Sequence, residues 1–234
     1  MSDIGNILAK TSERPAFLLA GGRPRNEEAA VRMIECAFEG IRDPRVGYIG
    51  TANGDSEPFF EAMSELLLKA GAKDVVKACL AREDADVDDA KDIFLCSDVI
   101  FLAGGEVEDG MNWLNKHGLV EFLKDLHKEG KQFMGTSAGS IMMGLNWVRW
   151  DVEGDDDTSE LFDCLGIIPA VFDTHGEDED WRELKAALKL LGDGARGYGI
   201  PHSGAISADS AGTFINIEKT LLTFINDGGH IKQI

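Results

Sequence analysis

The sequence predicts an α/β fold, with a mostly parallel sheet flanked by helices on both faces and a C-terminal β-hairpin. Three observations lead there. Short apolar runs recur along the chain, each closed by glycine or a polar loop. Stretches with apolar residues at helical spacing separate them, which is the order of a parallel sheet with crossover helices. At least one run, Val99 to Ala103, is apolar throughout, as a strand covered on both faces is.

Taken in order, Pro15 to Ala20 is an apolar run closed by Gly21-Gly22, and Asn26 then caps a helix through Ile41. Val46 to Gly50 is a second strand, ending in the polar loop Thr51 to Ser56. Pro58 opens a helix whose apolar residues Phe59, Met63, Leu66 and Leu67 share a face before Gly71 stops it. Asp74 to Leu80 is a third strand, and a helix over Asp88 to Cys96 leads into Val99 to Ala103, closed by Gly104-Gly105. A helical region from Asp109 to Lys128 precedes a fifth strand beginning at Gln132. Beyond it, Trp147 to Val152 reads as a strand, Asp155 to Leu165 as a loop with a short helix, Ala170 to Thr174 as a strand and Glu179 to Leu191 as a helix. Thr213 to Ile217 and Leu221 to Ile225 alternate in polarity, so an antiparallel hairpin turning at Glu218-Lys219 is expected. Ligands of such sheets gather at the carboxyl ends of the strands. Gly21-Gly22, the Thr51 loop, Gly104-Gly105 and Ser137 all fall there.

At 234 residues and 44% hydrophobic, the chain fits one large domain, residues 1–234, better than two small ones. Acidic residues outnumber basic ones by 42 to 23, for a formal charge of −19. Nucleic-acid backbones and anionic membranes are therefore disfavoured partners, while a homodimer is compatible with the sequence. Much of that charge lies in two stretches, Arg82 to Asp92 and Asp151 to Glu160, read as solvated surface. Cys36, Cys79, Cys96 and Cys164 are widely spaced within apolar runs, which points to buried free thiols rather than to disulfides or a metal site. Met1 to Arg14 lacks an apolar core followed by a small-residue cleavage site, and no run approaches the roughly 20 apolar residues of a membrane span. A cytoplasmic protein is expected.

The stretch that carries chemistry is Gln132 to Met143, where an apolar run ends in Gly135-Thr136-Ser137-Ala138-Gly139 and helix-forming residues follow at once. Gly-x-Ser-x-Gly between a strand and a helix is a nucleophile elbow: the serine sits in a strained turn, and its neighbours must lack bulk. The free N–H groups and the dipole of the following helix suit a developing oxyanion, with Ala138 supplying one donor. The plain alternative is a glycine turn whose serine caps the helix. A serine nucleophile needs a base. His117 and His127 lie in a polar helical region and are expected at the surface, and His230 is near the C-terminus. His175 follows the strand Val171 to Thr174, so its imidazole falls at a strand end.

Gly135 to Gly139, Ala103-Gly104-Gly105, Asp173-Thr174-His175 and the Gly199-Ile200 to Ala205-Ile206 segment occur in the order of the dipeptidase E and cyanophycinase family of serine peptidases, which the chain resembles from about Phe17 to Ile206. The resemblance implies a class I glutamine-amidotransferase-like fold, Ser137 as nucleophile, His175 as general base, and Gly105 and Ala138 as oxyanion-hole positions, with no metal or organic cofactor. It also implies a small peptide or amide substrate, which in this family lies next to an aspartyl residue. Several departures stand out. Where the family has a glutamate that orients the base, this chain has His202; a neutral imidazole there accepts a hydrogen bond from His175 but stabilises its cation less than a carboxylate does. Asp173 and Glu177 are alternative orienting groups, each expected instead in a salt bridge or in solvent. The residues after His175 are acidic, Glu106 follows Gly104-Gly105, and Arg182 aligns only loosely with the family arginines, so a neutral or cationic ligand suits the cleft better than an aspartyl one.

Two other functions compete with a working serine hydrolase. A catalytically impaired relative, serving as a binding or assembly module, is favoured by His202. A true α/β-hydrolase would need Asp209 and His230 as the serine's partners. A dinucleotide site at Gly21-Gly22 fails for want of Gly-x-Gly-x-x-Gly.

Overall fold

The computed structural model describes residues 14–19, 21, 27–152 and 155–234. Five strands pair in parallel as the centre of a seven-stranded sheet: β1 (Ala16–Leu19), β2 (Arg45–Ile49), β3 (Asp74–Ala78), β4 (Val99–Leu102) and β5 (Gln132–Thr136). Two antiparallel strands, β10 (Ala205–Ala208) and β11 (Phe214–Glu218), extend it beyond β1, giving the order β11-β10-β1-β5-β4-β2-β3.

Successive residues of a strand point to opposite faces, and the two cores follow that alternation. Phe17, Leu19, Val46, Tyr48, Phe101 and Met134 meet α1 (Glu27–Ala37) and α2 (Glu57–Lys69) on one face. Leu18, Ile49, Ile100, Leu102 and Phe133 meet α3 (Val87–Cys96), α4 (Val107–Lys116), α5 (Val120–Lys128) and the short α6 (Ala138–Ile141) on the other. The expected helical region over Asp109 to Lys128 is thus two helices, interrupted where Gly118 takes a φ of 66°. The first helix ends at Ala37 rather than Ile41, and its expected cap Asn26 lies, with Gly22, outside the described residues.

A second sheet, ordered β13-β12-β9-β8, flanks the first. It comprises β8 (Val171–Thr174), β9 (Arg196–Ile200), β12 (Leu222–Asp227) and β13 (His230–Gln233), covered by α7 (Arg182–Leu191). Trp181, Leu184, Leu188, Val171 and Phe224 form its core. Between the sheets, β6 (Asn146–Trp150) pairs with β7 (Ser159–Asp163), which occupies part of the expected loop and helix over Asp155 to Leu165.

The C-terminal hairpin exists, but one strand later than expected. The two alternating runs do not pair with each other: β11 joins β10 in the main sheet, whereas β12 joins β9 and turns at Gly228-Gly229 into β13. The chain changes sheets where Lys219 takes a φ of 59°, with the Leu221 N–H donating to Asn216 Oδ1 at 2.9 Å. Alternation identifies a half-covered strand but not its partner, and β9 and β10 each needed a neighbour on an open edge. The helix expected from Glu179 starts only at Arg182, because Asp180 and Trp181 are left-handed and Trp181 turns inward to lie 4% exposed beside Phe224.

All four cysteines are free, as expected, but Cys79 and Cys96 are exposed and Cys164 alone is fully buried. His127, expected at the surface, is 3% exposed, with Nε2 3.0 Å from the Arg14 carbonyl oxygen. Among the described residues no helix is long and apolar enough to cross a membrane. Phe133, fully buried and edge-on to His127, fills the centre of the larger core. Phe133→Ala is expected to cost about 3–5 kcal/mol of stability, read as a fall in the urea unfolding midpoint.

Candidate active site

Strand β5 runs straight into Ser137, whose φ of 51° and ψ of −124° lie outside the regions open to most side chains. Close packing forces the sequence around it. A β-carbon at Gly139 would sit 2.1 Å from the Leu102 carbonyl oxygen, and one at Gly135 would sit 2.5 Å from that of Gly139. Hydrogen bonds hold the turn. The Ser137 N–H and the Ser140 hydroxyl both donate to the Leu19 carbonyl at 2.9 Å, and the Ser140 N–H donates to the Ser137 carbonyl at 2.8 Å. The serine is therefore anchored to β1 as well as to its own strand.

The neighbouring strand ends press against it. β-Carbons added at Gly21 and Gly104 would lie 3.0 and 3.1 Å from Ser137 Cβ. Gly105 follows with a φ of 145°, its α-carbon so near Ala52 that a β-carbon would meet the Ala52 carbonyl oxygen at 2.0 Å. Among the described residues neither the Gly105 nor the Ala138 N–H donates to a backbone carbonyl, and both residues line the same cavity as Ser137.

His175 arrives from the second sheet. It follows β8 in a left-handed conformation, with a φ of 47°, and its N–H donates to the Ile200 carbonyl at the end of β9 at 2.9 Å. Its Nε2 lies 2.7 Å from Ser137 Oγ. Burial lowers its pKa below the ordinary 6.5, and the adjacent His202 adds to this, against the opposing pull of Glu177 and Glu179. The shift favours the neutral form of the imidazole.

His202 does not stand where a hydrogen-bonding partner would. Its ring stacks on that of His175, with centroids 5.3 Å apart and planes 23° off parallel, and no hydrogen bond joins them. Its backbone is held instead: the N–H donates to Glu177 Oε1 at 2.7 Å and the carbonyl accepts from Lys219 Nζ. Among the described residues no carboxylate hydrogen-bonds the His175 ring.

Asp173 is neither salt-bridged nor solvated, contrary to expectation. It is 5% exposed, and its Oδ1 accepts from the Thr174 N–H at 2.7 Å. The Leu184 N–H, in the first turn of α7, lies close enough to favour its charged form. Burial, followed by the charges of Glu183 and Glu179, pushes this carboxyl up to about 7. Glu183 is itself fixed by the Trp147 indole N–H, which donates to Oε2 at 2.8 Å. These carboxylates, with Glu106 and Asp178, line a cavity of about 400 Å³ in front of Ser137. Arg182 also lines it, its guanidinium 5.7 Å from the centre of the Trp150 ring.

Asp209 and His230, the partners an α/β-hydrolase would require, are not at this cavity. Asp209 closes a turn by accepting from the Ala211 and Thr213 N–H groups, and His230 is exposed on β13. Among the described residues no group of three or more His, Cys, Asp or Glu side chains is placed to hold a metal ion. The burial of Asp173 and the clasp of Trp147 on Glu183 had no signal in the sequence, since each depends on α7 and β6 meeting across β8.

A mostly parallel sheet that carries a serine on a strained strand-to-helix turn, with a histidine against its hydroxyl, is the architecture of α/β serine-type hydrolases. The sequence model of Peptidase family S51 matches residues 16–215, and the chain belongs to that family, the family of dipeptidase E and cyanophycinase. No curated protein matches the chain significantly by sequence. Among solved structures it is similar to a peptidase from an acI-B1 Actinobacterium, with a TM-score of 0.69 and 20% identity over 94% of this chain and 93% of that one. It is also similar to a candidate peptidase E protein from Listeria monocytogenes EGD-e, with a TM-score of 0.65 and 17% identity over 88% and 99%. At these identities the likeness is one of fold.

The raised pKa of Asp173 has a consequence for stability. Its folded value of about 7 exceeds the ordinary 3.8, so between those values the folded chain holds a proton that the unfolded chain has lost. Its contribution is full below the lower value and is lost as pH rises through the upper one. Asp173→Asn is expected to flatten the decline in stability between pH 4 and 7, measured by urea unfolding across that range.

Proposed function

We propose that the chain hydrolyses a small peptide or amide through an acyl-enzyme on Ser137. His175 Nε2 takes the hydroxyl proton as Oγ bonds to the scissile carbonyl carbon, and the Gly105 and Ala138 N–H groups bind the oxygen on which charge develops. The carbon–nitrogen bond then breaks as the imidazolium gives its proton to the leaving amine. Water, deprotonated by the same imidazole, releases the acyl group. The observation that carries this is the 2.7 Å separation of Ser137 Oγ and His175 Nε2 at a backbone strained for nucleophile display. A fluorophosphonate probe is expected to label the native protein and not Ser137→Ala; absence of label on both would overturn the mechanism.

The acidic lining favours a neutral or cationic substrate over an aspartyl one, because Glu106, Asp178, Glu179 and Glu183 face the cavity, where Arg182 is the one Arg or Lys among the described residues of the lining. Aspartyl amides are accordingly expected to turn over more slowly than neutral or basic counterparts, compared as kcat/KM.

One observation favours a second function, an impaired family member kept for binding or assembly. The family glutamate is His202, stacked on the base rather than hydrogen-bonded to it. The imidazolium formed during acylation then lacks an anionic partner, and the step is slowed. His202→Glu is expected to raise hydrolysis by about tenfold or more and to move the acid limb of the pH–rate profile upward, as a carboxylate beside His175 raises its pKa. An unchanged rate would instead indicate a rewired site that does without the glutamate.

A further inference from the structure

We infer that Asn53 is a positioning residue for the oxyanion hole: it clamps the Gly104–Gly105 peptide so that the Gly105 N–H faces Ser137. This rests on the assignment of Ser137 as nucleophile and of Gly105 as oxyanion donor. The carbonyl of Gly104 and the N–H of Gly105 belong to one planar trans peptide and point in opposite directions. Whatever holds that oxygen therefore fixes where the N–H points. Asn53 Nδ2 donates to the Gly104 carbonyl at 2.8 Å.

A clamp is needed because glycine flanks the peptide on both sides, and two glycines leave the plane free to rotate at little steric cost. Backbone hydrogen bonds anchor the chain on either side of this plane. The Ala103 N–H donates to Ile49 at 2.9 Å before it, and the Glu106 N–H donates to Ala52 at 2.7 Å after it. Between these two anchors the Asn53 amide is the hydrogen-bond donor that grips the Gly104 carbonyl.

Asn53 is itself immobilised. Its N–H and that of Asp55 both donate to the Gly50 carbonyl, at 3.0 and 2.9 Å, which closes the 3₁₀ turn over Thr51–Asn53. Its side-chain Oδ1 accepts from the Ser56 N–H at 3.1 Å, which leaves the NH2 as the end that faces Gly104. Asp55 Oδ2 ties the turn onward to the Ala81 N–H at 2.6 Å. Tyr48 Oη, fully buried, lies near Asn53 without meeting the geometry of a hydrogen bond. A hydrogen bond to the carbonyl also polarises the peptide and strengthens the N–H as a donor.

The substitution that isolates this role is Asn53→Asp. It keeps an oxygen for the Ser56 N–H and replaces only the donor to Gly104 with an acceptor. The rate constant for phosphonylation of Ser137 by a fluorophosphonate, whose phosphoryl oxygen occupies the oxyanion position, is expected to fall roughly 10- to 100-fold, less than or comparable to outright loss of one such donor. The thermal midpoint and the rate of His175 modification by diethyl pyrocarbonate, which needs no oxyanion hole, are expected to stay within about twofold or a few degrees of the wild type. If Asn53→Asp does not fold, Asn53→Ser reads the same quantity, because a serine hydroxyl also accepts from the N–H three residues on but is too short to reach Gly104. Phosphonylation at the wild-type rate in the folded variant would overturn the clamp, as would a parallel loss in the His175 reaction, which would mark general collapse. A wild type that does not react with the probe at all would instead overturn the nucleophile assignment, and the clamp with it.

Discussion

The contact between the elbow and the end of β4 governs the rest of the site. Gly139 approaches the Leu102 carbonyl so closely that no β-carbon fits, and Gly135 approaches Gly139 in the same way. These two contacts let β5 turn within one residue, so that Ser137 takes a positive φ and rises above the sheet instead of continuing into it. The same closeness brings the end of β4, and with it Gly104 and Gly105, to the serine. Strain at Ser137 is sustained by the hydrogen bonds to Leu19 and by the cores on both faces of the sheet, which leave the strands no freedom to relax.

Burial and a second imidazole favour the neutral form of His175, while the carboxylates nearby are directed elsewhere. Glu177 holds the His202 backbone, Glu183 accepts from Trp147, and Asp173 accepts the backbone N–H at its own strand end. None of the three hydrogen-bonds His175. In the proposed mechanism, the negative charge lining the cavity would oppose a negatively charged substrate and favour the imidazolium, offsetting part of what a directly bonded carboxylate would supply.

Much of this was legible in the residues. The five parallel strands are short apolar runs with glycine or polar ends, and each was found within a few residues of its bounds. The elbow was legible because its chemistry admits few residue types at fixed spacing, and His175 because it follows directly on a strand. The second half of the chain was harder to read. β7 has only five residues with acids at exposed positions, and the left-handed pair Asp180 and Trp181 interrupts what composition marks as a helix start. The pairing of β12 with β9 rather than β11 could not be read at all, since alternation carries no record of which edge a strand will meet.

By itself, then, the sequence determined the local chemistry: where strands and helices form, where a serine can be displayed, and which histidine falls at a strand end. These depend on periodicity and on residue types within a few positions of one another. Only the tertiary structure decided what surrounds the histidine. His202 is 27 positions away along the chain and could have bonded to the ring edge or stacked on its face, and the turn after β9 put it on the face. The burial of Asp173 and the grip of Asn53 on Gly104 are likewise contacts between separate elements. Their geometry is set by how sheets and helices pack, a property of distances that no local pattern of residues encodes.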